Sequence, residues 1–233
     1  MTKESVLITG SGRGLGRSLA LVFADNGYDI IINGRTKRDL EKLEGEILQH
    51  GVKCYVVQGD LRSDETIDKL YDAARESDIG VLINNAGVMS PVLPFHKVPN
   101  ETLEEIFTTN LLVPVKLSKK IYPLFLEKGH GCIINLNSIV GLESRELKSV
   151  ATSAKWGLRG FTASIRLEAE KNNVRVVGVY PTGIKTRPEY EFGMDPDEVS
   201  KKIYENYKNG DTDFLIIDGR KEEFQPKKGI EYG

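Results

Sequence analysis

The chain has little cysteine: two residues in 233, Cys54 and Cys132, far apart and in no Cys-x-x-Cys pair. That argues against a disulfide framework or a zinc site and fits a reducing compartment; no metal is expected. Neither sign of charge is in excess. Lys plus Arg number 32 and Asp plus Glu 34, a net charge of −2, so nothing draws the chain to nucleic acid or to an anionic membrane. No apolar run approaches about 18 residues, so no membrane span is expected. Met1-Thr2-Lys3-Glu4-Ser5 leads straight into Val6-Leu7-Ile8, without the long apolar stretch of a secretory signal. The final Glu231-Tyr232-Gly233 matches no lipidation or retention signal, and a cytoplasmic location is the expectation.

What is present reads as an ordinary folded protein. Hydrophobic residues make up 39% and charged residues 28% of the chain. That supports a sizeable core and excludes a disordered, collagen-like or coiled-coil chain. The length suits one α/β domain over residues 1–233 and leaves no room for two.

Short apolar runs alternate with longer stretches of helical period. Strands are expected at 6–9, 30–33, 54–57, 81–83, 133–136, 174–179 and 214–217. Helices are expected at 15–25, 37–49, 63–74 (Ser63 as the cap), 100–127 (kinked at Pro114), about 149–171, and 196–207. Strands that are apolar throughout are buried on both faces, which requires helices on both sides of a parallel sheet. The expected fold is α/β: a doubly wound parallel sheet of about seven strands, a Rossmann fold. Residues 182–198 are expected to form a substrate loop, and the polar residues 220–233 a flexible tail.

The first strand runs into Thr9-Gly10-Ser11-Gly12-Arg13-Gly14-Leu15-Gly16, and a helix follows at once. Glycines let the backbone turn tightly and approach a phosphate closely. A helix start adds unpaired N–H donors and a positive dipole end. Between a strand and a helix, this cluster reads as a dinucleotide cradle. The end of the second strand tells which dinucleotide. NAD-binding folds commonly place an acid there for the ribose 2′-OH; here Ile32-Asn33-Gly34-Arg35 has none. Arg35 and Arg13 suit a 2′-phosphate instead. NADP(H) is expected over NAD(H), the alternative being two solvated surface arginines.

The spacing Thr9-Gly10-x-x-x-Gly14-x-Gly16 resembles the glycine motif of short-chain dehydrogenases/reductases. Asn84-Asn85-Ala86-Gly87, after the fourth strand, is similar to that family's Asn-Asn-Ala-Gly motif. Lys155-Trp156-Gly157-Leu158-Arg159-Gly160-Phe161-Thr162 resembles the stretch that carries its active-site lysine. Asp60-Leu61 stand where the family contacts adenine, and Asn110 and Ser138 where it has its active-site asparagine and serine. Pro181-Thr182-Gly183-Ile184-Lys185-Thr186 resembles its Pro-Gly-x-x-x-Thr segment, with Thr182 a departure. The likeness runs in one order through residues 5–218.

The resemblance implies that Gly10, Arg13, Gly14, Leu15 and Gly16, with Ser11 and Gly12 between them, line a pyrophosphate. It places Asn84, Ala86 and Gly87 on the adenosine side, and Ile184 and Thr186, beside Pro181 and Gly183, at the nicotinamide carboxamide. Lys155 would hydrogen-bond the nicotinamide ribose. A small-molecule carbonyl or alcohol substrate is implied, as is a homodimer or homotetramer built on the two long helices.

One departure bears on the chemistry. The family's catalytic pair is Tyr-x-x-x-Lys, a spacing that puts both side chains on one helical face. Four residues before Lys155 stands Ala151. Ser138 keeps the family's spacing to that position, so the register is intact and only the phenol is missing. Hydride transfer to a carbonyl carbon leaves an oxygen that needs a proton from a positioned acid. Ser138 would hold that oxygen and Asn110 would anchor a relay water, but Ala151 supplies no proton. The expected activity is an NADP(H)-dependent carbonyl/alcohol oxidoreductase impaired by Ala151; the alternative is a non-catalytic NADP(H)-binding protein. Either a tyrosine was replaced in an active enzyme or a natural loss left only the binding site. His50, His96 and His130 are expected at distant surface positions. Tyr180, ending the sixth strand near the ligand-binding edge of the sheet, is expected to be a structural or pocket-lining aromatic; Cys132 is expected in the core and Trp156 at a packing or subunit contact.

Overall fold

The computed structural model describes residues 4–186 and 193–216. Among them, β1 (Ser5–Ile8), α1 (Gly14–Asp25), β2 (Asp29–Gly34), α2 (Lys37–Leu48), β3 (Cys54–Gln58), α3 (Asp64–Glu76) and β4 (Ile79–Asn84) follow in turn. Then come α4 (Asn100–Phe107), α5 (Val113–Lys128), β5 (Gly131–Leu136), α6 (Ser149–Ala169), β6 (Val174–Pro181), α7 (Pro196–Asn209) and β7 (Asp213–Ile216). The strands form one sheet in the order β3-β2-β1-β4-β5-β6-β7, with every neighbouring pair parallel. This is the doubly wound sheet that the apolar strands imply.

The alternation of side chains along each strand builds two cores. Val6, Ile8, Ile30, Ile32, Val81 and Ile83 pack with α1, α2 and α7 through Leu19, Phe23, Leu43 and Ile203. Leu7, Ile31 and Leu82 point the other way, onto Leu70 of α3, Leu117 and Phe125 of α5, and Ala169 of α6. Both faces of the central strands are therefore dry, which holds the strand ends in fixed register. The chain leaves β1 for β2 and β3 on one side, then returns to place β4 on the other. Such a reversal opens a crevice at the C-terminal ends of the strands, where ligands bind in this kind of sheet.

The helix expected over 100–127 is interrupted before its proline. After α4 a π-turn spans Thr108–Leu112, and Pro114 lies in the first turn of α5. Pro114 has no N–H to give to the carbonyl of Asn110, four residues back, and the turn leading into it widens. Ser63 takes the N-cap position of α3, but its hydroxyl makes no capping bond. Ile217 and the tail 220–233 lie outside the described residues, as does part of the loop 182–198. The described ends of that loop are tied together. The Lys185 N–H donates to the Met194 carbonyl and the Met194 N–H to the Gly183 carbonyl, each at 2.9 Å. The loop's final residues, from Pro196 onward, begin α7. Among the described residues, no helix is long and apolar enough to cross a membrane, and no His/Cys/Asp/Glu cluster could hold a metal ion.

Candidate active site

The C-terminal ends of β1 to β4 open into a groove of about 710 Å³. Gly10, Gly12, Arg13, Leu15 and Gly16 line it from the turn after β1. Gly34, Arg35 and Thr36 line it after β2, joined by Asp39 from the first turn of α2. Asp60, Leu61 and Arg62 follow β3; Asn85, Ala86 and Gly87 follow β4; Thr186 reaches in from beyond β6. The glycines are required by shape. Gly14 has φ +55°, and a Cβ there would lie 3.0 Å from the Thr186 carbonyl oxygen. A Cβ on Gly16 would lie 2.5 Å from Asn85 Nδ2 and still nearer the Gly10 carbonyl. Thr9, in the sequence only the first letter of the glycine motif, sets the opposite wall. Its hydroxyl accepts the N–H groups of Asn85 and Ala86, each at 3.0 Å.

Arg13 and Arg35 line the groove, and neither forms a salt bridge among the described residues, though the Arg35 charge helps to lower the Asp60 carboxyl. Arg62 is engaged: it forms a forked pair with Asp60, with Nη2 to Oδ2 at 2.6 Å. These hydrogen bonds hold the Asp60 carboxyl down at about 2. Asp39 has no such partner among the described residues. It sits beyond the strand end where an acid is sought, so the sequence motif gives no sign of it. A glycine turn, a helix N-terminus and two unpaired guanidiniums fit a phosphate-bearing dinucleotide.

Some residues expected in the groove serve it from behind. Ser11 is fully buried; its hydroxyl donates to the Asn33 carbonyl at 3.1 Å and accepts the Asn33 N–H at 2.9 Å. Asn84 is buried too, and its amide donates to Asn135 Oδ1 at 2.8 Å and Ser118 Oγ at 3.0 Å. It ties β4 to β5 and α5 and does not line the groove. Pro181 closes β6, Gly183 is bonded to Met194, and Ile184 bridges to Met194.

A second constellation stands beside the groove, where β5 ends and α6 passes. Lys155 Nζ donates to the Leu136 carbonyl at 2.7 Å. The Asn137 side chain donates to the Lys155 carbonyl at 3.0 Å and accepts the Ser138 N–H at 2.9 Å. Ser138 and Lys155 are thus held in one frame, and Ala151 lies one turn before Lys155 on α6. Burial pushes the Lys155 ammonium down to about 8. The π-turn carries Asn110, whose side-chain amide is engaged at both ends by the loop after β4. It accepts the Val88 N–H at 2.8 Å and donates to the Val88 carbonyl at 2.9 Å. These two bonds hold Asn110 against the strand-end loop that follows β4. Val88 itself lines the groove, so this bond couples the two parts of the site.

A family profile described as short chain dehydrogenase matches residues 4–195. The chain belongs to the short-chain dehydrogenase family. It is 30% identical over 181 residues to the 3-oxoacyl-[acyl-carrier-protein] reductase FabG of Staphylococcus epidermidis, covering 76% of this chain and 74% of the relative. It is 31% identical over 206 residues to the NADP-dependent 3-hydroxy acid dehydrogenase YdfG of Salmonella typhi, covering 86% and 81%. Among solved structures, a short-chain dehydrogenase from Sphingobium yanoikuyae in complex with NADPH superposes with a TM-score of 0.85. That pair shares 26% identity and covers 91% of this chain and 87% of the other.

Within this short-chain dehydrogenase, the other proton donors named from the sequence are paired, exposed or buried. His130 pairs with Glu4 at 2.7 Å, His50 with Asp25 at 3.3 Å, and His96 is exposed in a short 3-10 turn. Tyr180 is buried, and burial pushes its phenol up to about 12. Cys132 is buried in the core, and Trp156 lies at the surface under the Arg159 guanidinium. Asn137, like Asp39, is a site residue that the sequence motifs did not flag.

Proposed function

We propose that the protein is an NADP(H)-dependent carbonyl/alcohol oxidoreductase in which alanine occupies the position of the phenolic acid, Ala151. The cofactor reading rests on the two unpaired guanidiniums, Arg13 and Arg35, in a groove with no acid at the end of β2. A 2′-phosphate there gains charge-assisted partners that a bare ribose hydroxyl does not. The NADPH complex of the Sphingobium relative and the NADP dependence of YdfG support it. When bound, the cofactor supplies the hydride. The backbone N–H groups opening α1 would hold the pyrophosphate, the Ser138 hydroxyl would donate to the substrate oxygen, and Lys155, bonded to the Leu136 carbonyl, would carry a positive charge at the same strand end. FabG and YdfG are named for 3-oxoacyl and 3-hydroxy acid compounds, which makes these the first substrate class to assay.

The test is a fluorescence titration with NADPH and NADH. NADPH binds at least about tenfold tighter, a difference of about 1.4 kcal/mol, and Arg35→Ala abolishes most of the preference. Equal affinities overturn the cofactor reading. Ala151 is the observation on the side of a non-catalytic binding protein; NADPH binding without turnover, with Ala151→Tyr equally inert, would establish that reading. A homodimer or homotetramer is supported by the exposed Leu112, Trp156 and Leu167 on the long helical segments, and a monomer in sedimentation overturns it.

A further inference from the structure

Beyond the two arginines, the groove is lined by carboxylates from two elements, Asp60 after β3 and Glu105 on α4. We propose that Glu105, rather than Asp60, receives the amino group of the cofactor's adenine, and that Arg62 is the positioning residue that decides between them. This rests on the NADP(H) reading above and assigns the acceptor within it. With the pyrophosphate at the glycine turn and the 2′-phosphate beside Arg13 and Arg35, the base reaches the part of the groove lined by Asp60, Leu61, Arg62, Glu105 and Thr109.

Asp60 has little acceptor capacity left to offer. An ionised carboxylate has about four lone-pair sites, and Arg62 alone meets both oxygens twice. Oδ1 accepts the Arg62 backbone N–H at 2.9 Å and Nε at 3.0 Å; Oδ2 accepts Nε at 3.1 Å and Nη2 at 2.6 Å. Glu105 is placed differently. Its Oε1 stands 3.9 Å from Arg62 Nη1, an attraction between charges that is too long for a hydrogen bond. Among the described residues no N–H or O–H donates to its carboxylate. One guanidinium therefore saturates the first carboxylate and holds the second at ionic distance with its lone pairs open. A carboxylate can only accept. The amino group of adenine offers it N–H donors, whereas a base with a carbonyl at that carbon sets oxygen against oxygen.

The experiment titrates the full chain with NADPH and with its hypoxanthine analogue, which carries a carbonyl in place of the amino group, both followed by nicotinamide fluorescence. The parent binds NADPH about tenfold tighter, the order of one hydrogen bond to a charged group. Glu105→Gln brings the two ligands within about threefold, chiefly by binding the analogue more tightly, because an amide donates to a carbonyl as readily as it accepts from an amine. A general loss of structure would weaken both ligands together and leave their ratio unchanged. Adding Arg62→Ala to Glu105→Gln returns the ratio to about tenfold, as Asp60 recovers its lone pairs. Equal affinities in the parent, or the parent's ratio retained in Glu105→Gln, overturn the assignment to Glu105, while NADPH binding itself leaves the cofactor reading standing. A double variant as indifferent as Glu105→Gln overturns the role of Arg62. Absence of NADPH binding overturns the cofactor reading and this assignment with it.

Discussion

The side-chain amide of Asn137 bridges two backbones: it donates to the Lys155 carbonyl at 3.0 Å and accepts the Ser138 N–H at 2.9 Å. Asn137→Ala leaves both partners without this bond in a site that is largely buried. Losing a partner for a buried polar group costs about 1–3 kcal/mol, so the urea midpoint of Asn137→Ala falls by a corresponding amount with an unchanged slope. Asn137→Ala at parental stability would show that the bridge carries no weight.

Ala151→Tyr places a phenol one turn before Lys155. A free tyrosine titrates near about 10, and an adjacent ammonium favours the phenolate and lowers that value. Reduction of 3-oxo substrates, followed as NADPH consumption, rises by about 10²-fold or more, within the usual range for a positioned acid. A variant that binds NADPH as the parent does but gains nothing would show that Ser138 and the new phenol no longer converge on one oxygen.

The fold was legible because each strand from β1 to β6 is an apolar run and the glycine turn sits between β1 and α1. Those signals are local. Side chains that act across the chain were not legible. Asn137 gains its role from a helix residue 18 positions later, and Asp39 enters the groove from a helix start beyond the strand end. Ser11 and Asn84 show the reverse: a motif preserves the letters that brace a turn along with those that meet a ligand, and only burial separates them. The π-turn at Thr108–Leu112 follows the same logic. Pro114 announces a missing donor, but not which turn absorbs it.

Asp39→Asn removes the one groove carboxylate that has no cationic partner among the described residues. Its charge opposes a bound phosphate. Exposed charge pairs are worth about 0.2–1 kcal/mol, so NADPH binds Asp39→Asn up to about fivefold tighter, while NADH changes less. The gain shrinks as salt is raised, because screening weakens interactions between exposed charges. An affinity for NADPH equal to the parent's at low salt would place the Asp39 carboxylate away from the phosphate.

The Arg62–Asp60 pair makes a small, signed contribution to stability. Hydrogen bonds from Arg62 hold the folded Asp60 carboxyl at about 2, below its ordinary 3.8. A depressed carboxylate stabilises the fold above its unfolded value and loses that contribution as pH falls through the folded one. The window is therefore about pH 4 down to about 2. Both side chains are partly exposed, at 45% and 35%, so screening keeps the contribution below about 1 kcal/mol. Arg62→Ala is accordingly less stable than the parent at pH 5, and the gap closes as the pH approaches 2. Denaturant melts of both proteins at pH 5, 4, 3 and 2 measure it; a gap that stays constant over that range would mean that the pair does not lower the Asp60 carboxyl.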